Sequence, residues 1–283
     1  MFGFLNIYKP QGKTSHDIVA ILRRITKIKQ IGHTGTLDPF AEGVLPICIG
    51  KATRLIEYLA DDKAYIGTVQ FGKSTTTYDI EGDVVKTSSQ KITRIELENI
   101  LSRFRGEIEQ YPPIYSAIKV KGKKLYEYAR KGEEVKIEPR KVVINKLELI
   151  NFDEDSQVAE LLIECSKGTY IRSIANDIGE ALNCYGHLIK LLRIKAGKFE
   201  IENSIKLEDL ESISDVENKL IYPLEYLDYE KYELNEAEKE KVSHGMKIQI
   251  DKPNGLVLFT HQKNLVAVAN VEDRTAKVLK VFI

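Results

Sequence analysis

GHTGTLDPFAEGVLPICIGKATR, residues 32–54, is the densest irregularity in the chain. Gly32, Gly35, Gly43 and Pro46 punctuate it too often for a single helix. The glycines at 32 and 35 permit positive φ or close approach of another backbone. Pro39 biases Asp38 towards an extended backbone and away from the helical region. Asp38 is thereby held on a stiff loop beside an imidazole, His33, and a hydroxyl. Two readings fit that pattern: a tight turn capped by the carboxylate, or a carboxylate presented for chemistry.

Working outward, Thr14 or Ser15 caps a helix whose apolar stripe is Ile18, Ile21, Leu22 and Ile25. Lys51 to Leu59 returns to helical spacing, Tyr65 to Phe71 alternates like a strand, and Thr75 to Asp83 reads as a polar loop. Thr93 and Glu96 form a capping-box pair ahead of Leu97, Ile100, Leu101 and Phe104. Val142 to Phe152 and Val158 to Cys165 read as strands, and Gly168 turns into a helix carrying Ile171, Ile174, Ile178 and Leu182. Beyond about Tyr222 short strands follow at 247–250, 256–260, 265–270 and 277–282, separated by turn residues. The expected fold is α+β: a mixed, largely antiparallel sheet flanked by helices, with a small β domain after it. The boundary falls between 1–225 and 226–283.

The chain has 283 residues, 43% hydrophobic and 30% charged, with a formal net charge of zero. It is long enough for a sizeable core, and it holds no apolar run near the roughly 20 residues needed to span a bilayer. No basic segment followed by a long apolar one opens it, so no signal peptide is expected. Cys48, Cys165 and Cys184 are scattered, which suits a reducing compartment and a cytoplasmic location. Charge is segregated locally. Nine lysines and arginines between Lys119 and Lys141 face four carboxylates, further basic clusters lie at 23–29 and 190–198, and acid dominates 200–240. Such a distribution can attract phosphate on a neutral protein, or form ordinary solvated surface.

Two further segments could carry chemistry. In CSKGTYIR, residues 165–172, Arg172 falls in the first turn of a helix, where the dipole prefers anions. Either a specific acidic partner holds it there, or its head stays in water. Lys63-Ala64-Tyr65 starts a strand, and Tyr65 either stacks on a flat ligand or only packs. The five histidines show no zinc spacing, and neither a phosphate loop nor a dinucleotide fingerprint is present.

At these motifs the sequence resembles the TruB family of tRNA pseudouridine synthases. The 32–54 stretch carries most of the likeness. NIYKPQGKTSHDIV from Asn6, KAYIGTVQFG from Lys63, PPIYSAIKVKGKKLYEYAR from Pro112, CSKGTYIRSIANDIG from Cys165 and GHLIKLLRIKAGKF from Gly186 extend it in family order. The resemblance implies a catalytic Asp38, a Tyr65 that stacks on the target base and an Arg172 that pairs with Asp38. It implies RNA contacts by His33, which helps hold flipped-out nucleotides, and by Thr34, Lys9, Arg54, Lys119, Lys121, Lys123, Tyr170 and Leu191. Leu191, on a segment taken as helical, matches an apolar residue of the active-site floor. Relatives commonly carry two arginines after it, where this chain has Leu192 and Arg193. Residues 112–141 correspond to a thumb that closes on RNA, and 226–283 to a short PUA-like domain.

The implied function is isomerisation of the T-loop uridine of tRNA, position 55; a monomer is expected because no long exposed apolar seam is evident in the sequence. The reaction is redox-neutral and loses no group, so neither cofactor nor metal is required. An arginine opposite Asp38 favours its ionised form. Tyr65 can hold the ring and help remove the C5 proton. Two other classes compete: a tRNA chaperone without essential catalysis, and a small-molecule hydrolase using His33 and Asp38; a triad with Ser15 is set aside, since Ser15 sits where a helix cap is expected and no nucleophile elbow surrounds it.

Overall fold

The computed structural model describes residues 1–283. Its body is a ten-stranded sheet with a continuous path through Ile205–Lys206, Gly3–Lys9, Glu42–Ile49, Gly186–Ala196, Lys63–Phe71, Val158–Cys165, Arg140–Asp153 and Gly106–Gln110. Gly3–Lys9 pairs parallel with Ile205–Lys206, and Glu42–Ile49 pairs parallel with Gly186–Ala196. The other pairings are antiparallel. The mixed, largely antiparallel sheet is the expected one.

Its helices start where local chemistry starts them. Thr14 accepts from the backbone of Asp17, and the Asp17 carboxylate reciprocates, opening the helix Ser15–Thr26. Thr93 and Glu96 do the same for Arg94–Leu101. The first helix lays Ile18, Val19 and Leu22 against Leu5, Ile7, Leu45 and Ile47 of the sheet. Arg94–Leu101 and Ile171–Ala181 bury Leu97, Leu101, Ile174 and Ile178 with Val69, Leu161 and Ile163. Burial of these aliphatic side chains contributes roughly 1.5–3 kcal/mol each before entropy is charged against it.

Two segments depart from expectation. Residues 42–49 form a strand despite Gly43 and Pro46. Pro46 has no N–H to donate, and it sits where the strand changes partner, from Arg193 opposite Gly43 to His33 opposite Ile47. Gly43 (φ +103°) is needed for close approach, since a Cβ there would meet the Arg193 carbonyl at 2.3 Å. The segment carrying Leu191 is a strand, Gly186–Ala196, and not a helix.

A five-stranded sheet follows, in the order Glu230–Glu233, Gly255–His261, Asn264–Glu272, Thr275–Val281, Ile248–Gln249. Leu234, Val257, Phe259, Val266 and Ala276 form a core of its own. A second apolar cluster joins it to the body, with Leu258, Leu265, Val268 and Phe282 packed beside Phe4, Val44, Leu55 and Phe199. Phe282 stacks on Phe2 at 5.6 Å between centroids and lies under the Arg54 guanidinium. Phe282→Ala is therefore expected to cost about 3–5 kcal/mol in chemical denaturation. Limited proteolysis near residues 226–235 should become faster, and an unchanged digestion pattern would contradict the shared core.

Candidate active site

Asp38 lies on the loop between the strands Ile31–His33 and Glu42–Ile49, and three side chains from elsewhere fix that loop. Ser15 Oγ accepts from the Leu37 N–H at 2.8 Å and donates to the Leu37 carbonyl at 3.1 Å. Arg193 donates from Nε to the Val44 carbonyl (2.6 Å), from Nη1 to Thr36 (3.4 Å) and from Nη2 to Gly35 (3.1 Å). Lys9 Nζ reaches the carbonyls of Lys13 (2.7 Å), Pro10 (3.0 Å) and Pro39 (3.4 Å). The carboxylate is thus presented on a loop whose backbone is tied to the sheet and to the first helix.

Opposite it, Arg172 projects from the first turn of Ile171–Ala181 and is 6% exposed. Nε contacts Asp38 Oδ2 at 2.9 Å, and Nη2 donates to Asp38 Oδ1 at 3.4 Å and to the Tyr115 carbonyl at 3.2 Å. Nη1 donates to Asp79 Oδ2 and to the Thr77 carbonyl, both at 3.1 Å. A guanidinium has five N–H groups in a fixed fork, and each has an acceptor here. That accounts for an arginine placed against the helix dipole: two carboxylates and two carbonyls converge on it.

Asp38 stays 34% exposed while Asp79 is 3% exposed, so the first carboxylate opens on the cavity and the second is sealed behind it. Burial pushes the Asp38 carboxyl above the usual aspartate range; Arg172 and Lys9 pull it back, and Asp79 adds to the rise. Burial also pushes the Tyr65 phenol up, keeping it protonated at neutral pH. The cavity has a volume of about 400 Å³ and is walled by Asp38, Tyr65, Arg172, Tyr170, Leu191 and Tyr126. That is within the usual range for a small-ligand site, and polar and apolar residues share its lining evenly. Another cavity of about 330 Å³, around Asp62, Asn145 and Glu164, holds none of those six.

The sequence-predicted residues divide into groups. Asp38, Tyr65, Arg172, Tyr170 and Leu191 meet at one cavity. Tyr170 is fixed by Gln110, whose side chain accepts from its N–H at 2.8 Å and donates to its carbonyl at 3.0 Å. His33 is half-buried at the end of its short strand; burial, then Arg193, lower its pKa, and its Nδ1 has no partner. Thr34 lies on a neighbouring cleft with Asp62 and Phe199. Lys119, Lys121 and Lys123 are exposed on a two-stranded hairpin that turns at Lys121 and Gly122. Arg54 is exposed but donates to the Val281 carbonyl at 2.9 Å, so it also fastens the C-terminal sheet.

Lys9 requires correction. It is 0% exposed and its ammonium is enclosed by three carbonyls, so it supports the loop and does not reach RNA. Burial lowers its pKa to about 8, below that of an unfolded lysine. Between those two values the unfolded chain binds more protons, so this residue's contribution to stability rises with pH across the window. The unfolding free energy of wild type relative to Lys9→Met should therefore grow from about pH 7.5 to about pH 10. A difference that stays flat would contradict the assignment. Ser15 Oγ is spent on both backbone groups of Leu37, which agrees with setting it aside as a hydrolase nucleophile.

Sequence reasoning missed Asp79, which it left inside a polar loop, and the cavity-lining Lys63, Tyr115, Ser116 and Tyr126. Glu81 and Asp83 follow Asp79 in the same loop, and nothing local marks which of the three acids turns inward.

The sequence matches the family model described as TruB family pseudouridylate synthase (N terminal domain) over residues 23–171. Residues 172–227 match the tRNA pseudouridylate synthase B C-terminal domain. The tRNA pseudouridine synthase B of Caldanaerobacter subterraneus subsp. tengcongensis is 47% identical over 251 residues, covering 87% of this chain and 86% of that protein. That of Clostridium tetani is 40% identical, with each chain covered in full. Among solved structures, a Cbf5-Nop10-Gar1 complex superposes with a TM-score of 0.74 at 26% identity, covering 100% of this chain and 85% of that one. An H/ACA RNP bound to a substrate RNA containing 2′-deoxyuridine shares the fold at a TM-score of 0.71 and 23% identity, covering 100% and 85%.

Proposed function

The chain belongs to the TruB family of pseudouridylate synthases, and we propose that Asp38 carries its reaction at the T-loop uridine of tRNA, position 55. It is an isomerase that converts uridine in tRNA to pseudouridine. The observation that carries the assignment of Asp38 is its place in the cavity, partly open and gripped from behind by a guanidinium with no spare donor.

The chemistry uses these residues as follows. The target base must leave the stacked loop to reach a walled cavity. Unstacking costs a few kcal/mol, offset by phosphate contacts and by side chains that replace the lost stacking. Lys119, Lys121 and Lys123 on the thumb supply charge for the first, and His33 helps hold the flipped-out nucleotides. Tyr65 and Leu191 receive the uracil. Asp38, as the anion, attacks sugar C1′ or ring C6, and Arg172 holds it in line for either route. The N1–C1′ bond breaks, the ring turns, C5 bonds to C1′, and the C5 proton is lost while N1 gains one. Tyr65, whose phenol burial keeps protonated in the free enzyme, holds the ring by contact and is placed to help remove the C5 proton.

A chaperone without essential catalysis has no use for a carboxylate ion-paired inside a base-sized cavity, and the site geometry favours the enzyme. The C-terminal sheet, residues 230–281, is assigned to RNA binding as a PUA-like domain fixed to the body. No helix is long and apolar enough to cross a membrane; a tRNA substrate fits a cytoplasmic protein, and we infer that it acts there as a monomer. If the fold of the loop is what is recognised, an isolated T stem-loop should be modified at the same uridine as intact tRNA, within about tenfold in rate. Modification of intact tRNA alone would refute shape recognition of the loop.

A further inference from the structure

One hydroxyl in the cavity wall is short of partners within the protein. Ser116 sits at the root of the thumb, is 5% exposed, and lines the same cavity as Asp38, Tyr65, Arg172 and Leu191. Its Oγ is buried without a hydrogen-bond partner. The Tyr170 phenol lies near enough for the serine to oppose the rise that burial gives its pKa. Its backbone neighbours are fixed. The Tyr115 carbonyl accepts from Arg172, and the Ser116 carbonyl accepts from the Tyr126 N–H at 3.1 Å. A buried hydroxyl left unmade is costly, so such a group generally has a partner that the structure lacks.

We propose that Ser116 Oγ is a substrate-orienting hydrogen-bond donor to a carbonyl oxygen of the flipped uracil. The proposal rests on the reading of this cavity as the uracil site. Uracil presents two carbonyls, C2=O and C4=O, flanking N3–H. Turning the ring by half a revolution about the N3–C6 axis exchanges N1 for C5, which is the net change of the reaction. The same rotation exchanges C2=O for C4=O. One fixed donor beside that axis therefore meets a carbonyl acceptor both before the glycosidic bond breaks and after the carbon–carbon bond forms. A hydroxyl on a tethered backbone can hold the detached ring through the turn without distinguishing its two ends. No charge is required, and the group transfers no proton in the chemical step.

The test is a cycle between side chain and substrate atom, run as single turnovers at saturating full-length enzyme. The T stem-loop carries uridine, 2-thiouridine or 4-thiouridine at the target, since sulfur accepts hydrogen bonds weakly. Ser116→Ala should lower the rate on uridine by about tenfold, and the loss should shrink to below about threefold on at least one thio substrate. RNA affinity should stay within about twofold, because a hydroxyl inside the cavity adds little to phosphate binding. An equal loss on all three RNAs, no loss on uridine, or a change confined to affinity would overturn the proposal. Asp38→Asn, assayed alongside, separates the two levels. Should it stay active, the reading of the cavity fails; should it die while Ser116→Ala shows no loss, only the role of Ser116 fails.

Discussion

Asp38→Asn is expected to lower single-turnover pseudouridine formation by about 10⁴-fold or more, the scale on which loss of an essential acidic group acts in other enzymes. Affinity for the T stem-loop should change by less than about threefold, since phosphate and loop contacts lie elsewhere. The substitution preserves shape: the amide oxygen can still accept from Arg172, and the loop stays tied by Ser15, Arg193 and Lys9. What disappears is the anion. A chaperone reading predicts the opposite split, with function surviving and binding as the only sensitive quantity. Quenched-flow turnover with filter binding on the same preparation distinguishes them.

Arg172→Met should be the next most damaging change, and through two separate effects. Asp38 and Asp79 would face each other with no cation between them. Breaking a buried ion pair by removing one partner typically costs about 3–5 kcal/mol, so the melting point should fall. The second effect is on protonation. In the wild type, burial raises the Asp38 carboxyl and Arg172 opposes that rise. The anion is the active form, so activity is lost as pH falls through a midpoint above the usual aspartate value of about 3.9. Without the guanidinium, the midpoint should move further up and the rate at neutral pH should fall by about 10²–10³-fold. Raising the pH should recover part of that loss. A variant with the wild-type midpoint would show that Arg172 does not govern the charge on Asp38.

What the sequence revealed, and where it went silent, follows from the range of each interaction. Helix starts at Thr14 and Thr93 are visible because a capping box is complete within four residues. The strand Glu42–Ile49 is hidden, since Gly43 and Pro46 are loop-formers by local rule and only the neighbouring strands explain them. Gly186–Ala196 reads as a helix because register shifts at Leu188/Lys190 and Arg193/Lys195 break its alternation. Arg193 looks like an ordinary surface cation, yet it is 1% exposed and spends its donors on carbonyls of the catalytic loop.

The site shows the same limit. By residue pattern alone, Asp38 as a turn cap outweighs Asp38 as a catalyst, and family resemblance supplies its pairing with Arg172. The pairing spans 134 positions, which no local rule reaches. Asp79 was missed for the same reason, and its charge matters only because the fold carries it to the back of the same arginine. Lys9 departs in the other direction: the resemblance implies an RNA contact, but packing gives it three backbone carbonyls instead.

The most direct measurement is nucleotide-resolution mapping of pseudouridine in an unmodified tRNA, after incubation with the wild-type chain and with Asp38→Asn, each in the presence of a chelator. A single new pseudouridine at the T-loop uridine with the wild type, and none with the variant, is the predicted result. Modification by the Asn variant at the wild-type rate, or at a uridine outside the T loop, would contradict it.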